Sequence, residues 1–338
     1  MAVLHVVCID AARNLWHTIR LINGNWLPFG DVRDVVLREN PGSFNPAAFD
    51  EVDCAGVVND LHVCLRSGSE VVHTIRRIKG SWFPFGDVLS AARAPRGVIF
   101  SVAATEVNGQ LNLCAAIRTG SGELESTRHS LFLTIRASTG SWRQFEDLGG
   151  SFDDIACAED GSQLHFCGIT FDSKGVRQRA LEHALRPSGG GPFTPFRDMR
   201  SVVLAENPGS FDPGSFDLVS CAGFAGELHA CVISSGRLFH TVRRANGTWS
   251  PFDNVVDVVL EQNPGSPRPM PLGSISCDMV NGELHLICVD SAGVPWHTIL
   301  RAIGTWFPFR DVRDTVLSQN PGSPDPGSIR SVAIADSF

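Results

Sequence analysis

The chain repeats itself six times, and nothing else in it constrains the fold as much. The phrase His-Thr-Ile-Arg, followed by Gly-Xaa-Trp-Xaa-Pro-Phe-Gly-Asp-Val, recurs with variations from one end to the other. Its first position falls at His17, His73, Leu133, His183, His240 and His297, at spacings of 56, 60, 50, 57 and 57 residues. Counting from His297 off the end of the 338 residues and round to His17 gives 58, the same period. A repeat of this length is one supersecondary unit that must stack on its neighbours to bury its apolar face. Six copies fill the sequence, so a single domain over residues 1–338 is expected, with no room for a second.

Each copy reads as four short strands. In the fifth they fall at 217–223, 227–233, 238–244 and 248–254. Asn59-Asp60, Asn108-Gly109, Asp160-Gly161 and Asn281-Gly282 break the first strand from the second. Asn23-Gly24, Lys79-Gly80 and Asn246-Gly247 break the third from the fourth. Such pairs supply the positive φ that tight hairpins need, and the segments lack the 3.6-residue periodicity of a helical solenoid. The expected fold is all-β: a six-bladed β-propeller of four-stranded antiparallel blades. The chain starts on a second strand, 3–9, and ends on a spare first strand, 328–335. Pairing the two closes the ring and removes its exposed edges.

Composition narrows the function. Hydrophobic residues at 43% and charged residues at 19% suit a packed core, not a disordered chain. A net charge of −8, with no basic run, argues against nucleic acid or an anionic membrane surface as partner. No apolar run approaches the roughly 20 residues of a spanning helix. Met-Ala-Val-Leu-His-Val-Val-Cys has no basic n-region and too short an apolar stretch for a secretion signal. The expectation is a soluble, unanchored protein of unassigned compartment.

The ten cysteines sit on repeat columns: Cys54, Cys157, Cys221 and Cys277 in first strands, and Cys8, Cys64, Cys114, Cys167, Cys231 and Cys288 in second strands. Buried free thiols are expected. Cross-strand disulfides are the rival, but a turn at Asn59-Asp60 pairs Cys64 with Ala55 rather than Cys54. No Cys-Xaa-Xaa-Cys spacing suggests a metal site, and no cofactor is implied. Ten of the eleven histidines also fall on two repeat columns, which points to packing between blades. His129 alone is off pattern, in the long loop of the third copy. Motifs of hydrolases, metalloproteases and phosphate-binding loops are absent. The segment closest to a sialidase Asp box, from Asp290 to Trp296, has one residue too many between Asp and Gly. Catalysis needs a singular set of unlike groups, whereas these polar groups recur, so a non-enzyme is expected.

The recurring surface residues are more telling. With the His position as zero, Trp falls at +9 in five copies: Trp26, Trp82, Trp142, Trp249 and Trp306. Arg falls at +3 in Arg20, Arg76, Arg136, Arg186 and Arg243. A two-residue turn at +6 and +7 sets +4 opposite +9. His and Trp then share one sheet face, with Arg on the other, and Trp lies near the rim, either packed between neighbouring blades or as an aromatic platform with polar neighbours in the cleft between them. Four copies also carry Asn-Pro-Gly-Ser links, beginning at Asn40, Asn207, Asn263 and Asn320. Each follows a stretch long enough for one helical turn. These links read either as a rigid cover over blade edges or as ligand-contact loops.

Phrases such as Gly236-Arg-Leu-Phe-His240 and Gly247-Thr-Trp-Ser-Pro251 resemble the blades of bacterial PLL-like β-propeller lectins. The resemblance spans all six copies. It implies glycan binding at repeated sites between blades, often of fucose or related sugars, with avidity from valency. The expected sites are His17/Arg20/Trp26, His73/Arg76/Trp82 and His240/Arg243/Trp249, with His297/Trp306 weaker. Trp142 stands in a copy that lacks His, and the fourth copy has Phe193 in place of Trp. The alternative is a protein-interaction scaffold that uses one propeller face.

Overall fold

The computed structural model describes residues 2–95, 97–119, 128–170 and 179–337. Six four-stranded antiparallel sheets stand as blades around an axis, and we number them by the copy whose His position they contain. Blade 2 runs outward from the axis as Glu51–Val57, Asp60–Ser67, Glu70–Arg76 and Gly86–Asp87. Each innermost strand lies beside those of the blades before and after it, so the six form a closed ring. Closure is by the composite blade 1, in which Ile329–Ser337 lies innermost and pairs antiparallel with Val3–Asp10, from Val3 opposite Ser337 to Cys8 opposite Val332.

The innermost strands have one edge with no strand to pair it, and buried backbone N–H groups must find acceptors. Side chains of the preceding blade supply them. Asp53 accepts from the Ala104 N–H at 2.7 Å, Asp154 from Val219 at 2.7 Å and Asp278 from Asp336 at 2.7 Å. Ser220, Ser274 and Ser276 accept in the same way from Cys277, Val332 and Ile334. The polar residues of the inner strands therefore join each blade to the next.

Three strand details differ from the sequence reading. The outermost strands are only two residues long in five blades, such as Asp253–Asn254 in blade 5 where 248–254 is expected. Pro28, Pro84, Pro251 and Pro308 stand just before them and have no N–H to give. In blade 2 the inner hairpin turns at Val58-Asn59, with Val57 opposite Asp60, so Cys64 lies opposite Asp53 and not Ala55. Cys54 is opposite Val63, which leaves Cys54 and Cys64 on different faces. All ten cysteines are buried free thiols. Finally, His129 belongs to the backbone of the strand Arg128–Arg136, opposite Arg118, rather than to a loop.

A further difference in register changes the site. Between third and fourth strands the loop has three residues: the Leu21 N–H bonds to the Asn25 carbonyl, with Gly24 at φ +86. A type I turn closed by a left-handed glycine is the three-residue hairpin. It sets Arg20 opposite Trp26, and likewise Arg76 opposite Trp82, Arg136 opposite Trp142 and Arg243 opposite Trp249. One residue of slip exchanges the two faces of a strand. Arg and Trp therefore share a face, and His lies on the other.

After the outermost strand of blades 1, 4, 5 and 6 comes an eight-residue helix: Val32–Glu39, Met199–Glu206, Val255–Gln262 and Val312–Gln319. The repeated Gly-Asp-Val is its start signal. Asp31, Asp198 and Asp311 cap it by accepting the N–H three residues on, and the following Val or Met is buried. These helices have two turns, longer than the single turn expected.

Candidate functional site between the blades

Five of the six blades turn a His face toward the Trp face of the next. The ring of Trp82 meets His17 edge to face at 5.6 Å, Trp142 meets His73 at 5.3 Å, Trp249 meets His183 at 5.4 Å, Trp306 meets His240 at 5.8 Å and Trp26 meets His297 at 5.9 Å. The sequence grouped His, Arg and Trp within a copy. The structure regroups them across the cleft: His17 with Arg76 and Trp82, His73 with Arg136 and Trp142, His183 with Arg243 and Trp249, and His297 with Arg20 and Trp26. His240 faces Trp306 without an arginine, since Leu300 takes the +3 position. Between blades 3 and 4 neither His nor Trp is present.

The tryptophans expected near the rim are buried: Trp26, Trp82, Trp249 and Trp306 are 5–7% exposed, and only Trp142 is half-buried. Their backbones are held as firmly. Trp82 donates its N–H to Glu39 at 2.6 Å, and its carbonyl accepts from Asn40 Nδ2 at 3.0 Å. Glu206/Asn207 hold Trp249 in this way, Gln262/Asn263 hold Trp306 and Gln319/Asn320 hold Trp26. The Asn-Pro-Gly-Ser links are thus clasps between consecutive blades.

Behind each Trp stands a pair of histidines from one blade. His5 and His17 are bonded at 2.9 Å, His62 and His73 at 3.1 Å, His165 and His183 at 2.9 Å, His229 and His240 at 3.0 Å, and His285 and His297 at 3.1 Å. Two imidazoles this close form a hydrogen bond only while at least one of them is neutral, one donating and the other accepting. Burial pushes all of these histidines below their ordinary range, with neighbouring arginines adding to the effect in most. The remaining ring nitrogen of His165 bonds to the Asp160 carboxylate at 2.9 Å. The Asp290 segment is also structural: its carboxylate accepts from Trp296 Nε1 at 2.9 Å, and Asp10 holds Trp16 identically.

What stays open is the outer part of the cleft. Between blades 6 and 1 lies a cavity of about 300 Å³ bordered by Arg20 and Trp26 on one side and by Phe307, Pro308, Arg310 and Gln319 on the other. Between blades 2 and 3 one of about 330 Å³ is bordered by Arg136 and Thr139 opposite Asp60, Arg77 and Phe83. Both place an aromatic at +10 of one blade against the +3 arginine of the next. Phe83 and Phe307 escape a search for strict recurrence, because Leu27, Arg143 and Ser250 hold +10 in other copies. The signal available was an aromatic beside an exposed Pro.

A further cavity of about 610 Å³ opens on the axis, bordered by Asp53, Glu106, Glu159, Asp278 and Asp336 with no Lys or Arg. Burial pushes Asp53 up to about 7 and, with Asp336 beside it, Asp278 up to about 8. Both carboxylates are already accepting backbone N–H groups. Among the described residues no three His, Cys, Asp or Glu side chains gather as a metal site, and no helix is long and apolar enough to cross a membrane.

No protein-family model matches this sequence, and no curated protein matches it. Solved structures do resemble it in fold. AofleA from Arthrobotrys oligospora aligns at a TM-score of 0.55 and 11% identity, over 98% of this chain and 87% of that one. A mutant of Aleuria aurantia lectin in complex with Fucalpha1-6GlcNAc aligns at 0.53 and 12%, over 90% and 94%. Xylan β-1,4-xylosidase from Bacillus halodurans C-125 aligns at 0.52 and 14%, over 80% and 56%. At such identities the likeness establishes the propeller fold. The lectin among these neighbours is fungal, and no comparison supports the bacterial PLL-like group named from the sequence motifs.

Proposed function

We propose that the protein is a non-catalytic, multivalent carbohydrate-binding protein whose sites are the outer clefts between blades. The observation that carries this is the pairing, in two separate clefts, of a part-exposed phenylalanine with a guanidinium from the next blade: Phe307 with Arg20, and Phe83 with Arg136. An arginine of the same blade covers one face of each ring, Arg301 at 4.1 Å and Arg77 at 4.7 Å, which leaves the other for a sugar. An aromatic ring suits the C–H side of a pyranose, and a planar guanidinium has donors for neighbouring hydroxyls. Arg76 faces the cleft between blades 1 and 2, where Leu27 replaces the aromatic, and Arg243 that between blades 4 and 5. These two rank as weaker sites. Trp26, Trp82, Trp142, Trp249 and Trp306, with His17, His73, His240 and His297, serve as the wall that fixes the cleft rather than as the stacking platform.

Aleuria aurantia lectin, solved with a fucosylated disaccharide, shares the fold, and this favours glycans as the ligand class. A xylosidase shares the fold as well, so the fold alone does not separate lectin from enzyme. Glycoside hydrolysis requires two free carboxyl groups flanking one bond. In these clefts Asp60 is held by Arg77 at 3.4 Å and Asp311 caps a helix, which favours binding without turnover. The test is a glycan array, run with and without chelator, followed by calorimetry on Phe83→Ala and Arg136→Ala. The expected result is more than one site per chain and a loss of about 1–3 kcal/mol at the altered cleft, as for base–aromatic stacking. An array with no saccharide bound, or binding indifferent to both variants and to Arg20→Ala, overturns the proposal and leaves the scaffold alternative.

A further inference from the structure

We infer that the clefts between blades 6 and 1 and between blades 2 and 3 select acidic saccharides, those carrying a carboxylate or a sulfate. This rests on the reading of these clefts as saccharide sites. Each receives two guanidinium groups from two different blades: Arg20 with Arg310, and Arg136 with Arg77.

Three of these four cations are not compensated from within the protein, and Arg77 is paired with Asp60 at 3.4 Å. Among the described residues, Arg20, Arg136 and Arg310 have neither a hydrogen bond nor a carboxylate within the 4.0 Å of an ion pair. Glu283 acts on Arg20 only from farther away. Asp311, which borders the first cleft, accepts the Asp314 N–H at 3.0 Å as the cap of its helix. In the second cleft Asp60 is committed to Arg77 and to the Ile78 N–H at 3.1 Å. An isolated guanidinium on a surface would simply be solvated. These two are instead half-buried and braced over the hairpin: a Cβ on Gly24 would lie 3.6 Å from Arg20 Nη2, and one on Gly140 3.2 Å from Arg136 Nη2. Burial holds both below the ordinary arginine range, and the second guanidinium of the cleft adds to it.

A chain of net charge −8 thus keeps two guanidinium groups in each of two concave sites, uncompensated in the first and offset in part by Asp60 in the second. A neutral sugar would occupy the donors but leave the repulsion. A carboxylate or sulfate matches the fork geometry of arginine and removes the repulsion as it binds.

The test compares matched ligands by calorimetry at low salt: glucose with glucuronate, galactose with galacturonate, and galactose with its sulfate ester. The acidic member is expected to bind at least about tenfold tighter, the scale of one charge-assisted hydrogen bond. Raising the salt, or the double variant Arg20→Gln/Arg136→Gln, should erase the preference. Arg20→Lys/Arg136→Lys should retain it in part, and thermal melting establishes that each variant is folded. Equal affinities within the pairs overturn the acid preference while leaving saccharide binding intact. Failure of every saccharide to bind overturns both. Inorganic sulfate or acetate binding as tightly as the acidic sugars makes these plain anion sites and overturns the inference too.

Discussion

Trp82 shows how far a single side chain is committed here. Its ring is buried against His17 of the neighbouring blade, and both of its backbone polar groups are held by the clasp of Glu39 and Asn40. A residue at the rim could be truncated freely. This one leaves a cavity between two blades, and Trp82→Ala should cost about 3–5 kcal/mol, read as a shift of the denaturant midpoint at unchanged slope. A loss under 1 kcal/mol would return it to the rim. The histidine behind it is equally constrained. Burial holds His5, His62, His240 and His285 at about 3 and His229 at about 4, from 6.5 unfolded. Between those limits the unfolded chain takes up protons that the native chain refuses. Stability from these groups is therefore present above 6.5 and lost as pH falls, with a slope of about 1.4 kcal/mol per pH unit for each. The axial carboxylates run the other way: Asp53 at about 7 and Asp278 at about 8 keep protons that the unfolded chain releases above 3.8, so their contribution fades as pH rises. A melting curve mixes the two sets, whereas proton NMR separates them. The imidazoles of His5, His62, His229, His240 and His285 should remain neutral at pH 5, and midpoints near 6.5 for those signals would contradict the buried pairs.

Between residue and ring, the helix with its Asn-Pro-Gly-Ser link is the element that sets the cleft. Asn207 Nδ2 donates to Val203 O at 2.9 Å, closing its own helix, and to Trp249 O at 3.1 Å, tying it to the next blade. Asn207→Ala strands the Trp249 carbonyl, while Val203 O keeps the backbone N–H of residue 207 at 3.0 Å, and should destabilise by about 1–3 kcal/mol, with increased amide exchange at Trp249 as the local reading. Exchange increased only within 199–206 would mean that the link caps its helix without clasping blade 5. These links were visible in the sequence, but their partner was not, because it lies 42 residues away. The candidate site was legible in the same partial way. Arg20, Arg76, Arg136 and Arg243 stand out by recurrence, and they do face the clefts. Their grouping was misread at one turn. Asn23-Gly24 suits a two-residue hairpin as well as a three-residue one, and only the backbone hydrogen bonds choose between them. That one residue exchanges the faces, sends each Trp to the His of the preceding blade, and turns an apparent platform into a wall.

At the scale of the molecule the period did most of the work, because a length that also fits across the chain ends implies a closed ring before any strand is assigned. Blade number, four-strand composition and the closing strand all follow from it. Strand lengths did not, since prolines beside the outer strands remove donors that a repeat count ignores. The closing strand is where the whole ring is most exposed to change. Ile329–Ser337 fills the innermost place of blade 1, burying Ile329, Val332, Ala333, Ile334 and Ala335. Its backbone also satisfies Ser274, Ser276 and Asp278 of blade 6. Removing residues 328–338 would bare the inner edge of Val3–Asp10 and break the link to blade 6 in one step. With each large buried side chain contributing about 1.5–3 kcal/mol, the loss exceeds what a marginally stable domain can spare. The truncated chain should melt more than about 10 °C lower or fail to stay monodisperse. A synthetic peptide of residues 328–338 should restore part of the loss by adding back as a strand. An unchanged melting temperature for the truncated chain would mean that the ring holds together without its closing strand, and closure through blade 1 would have to be given up.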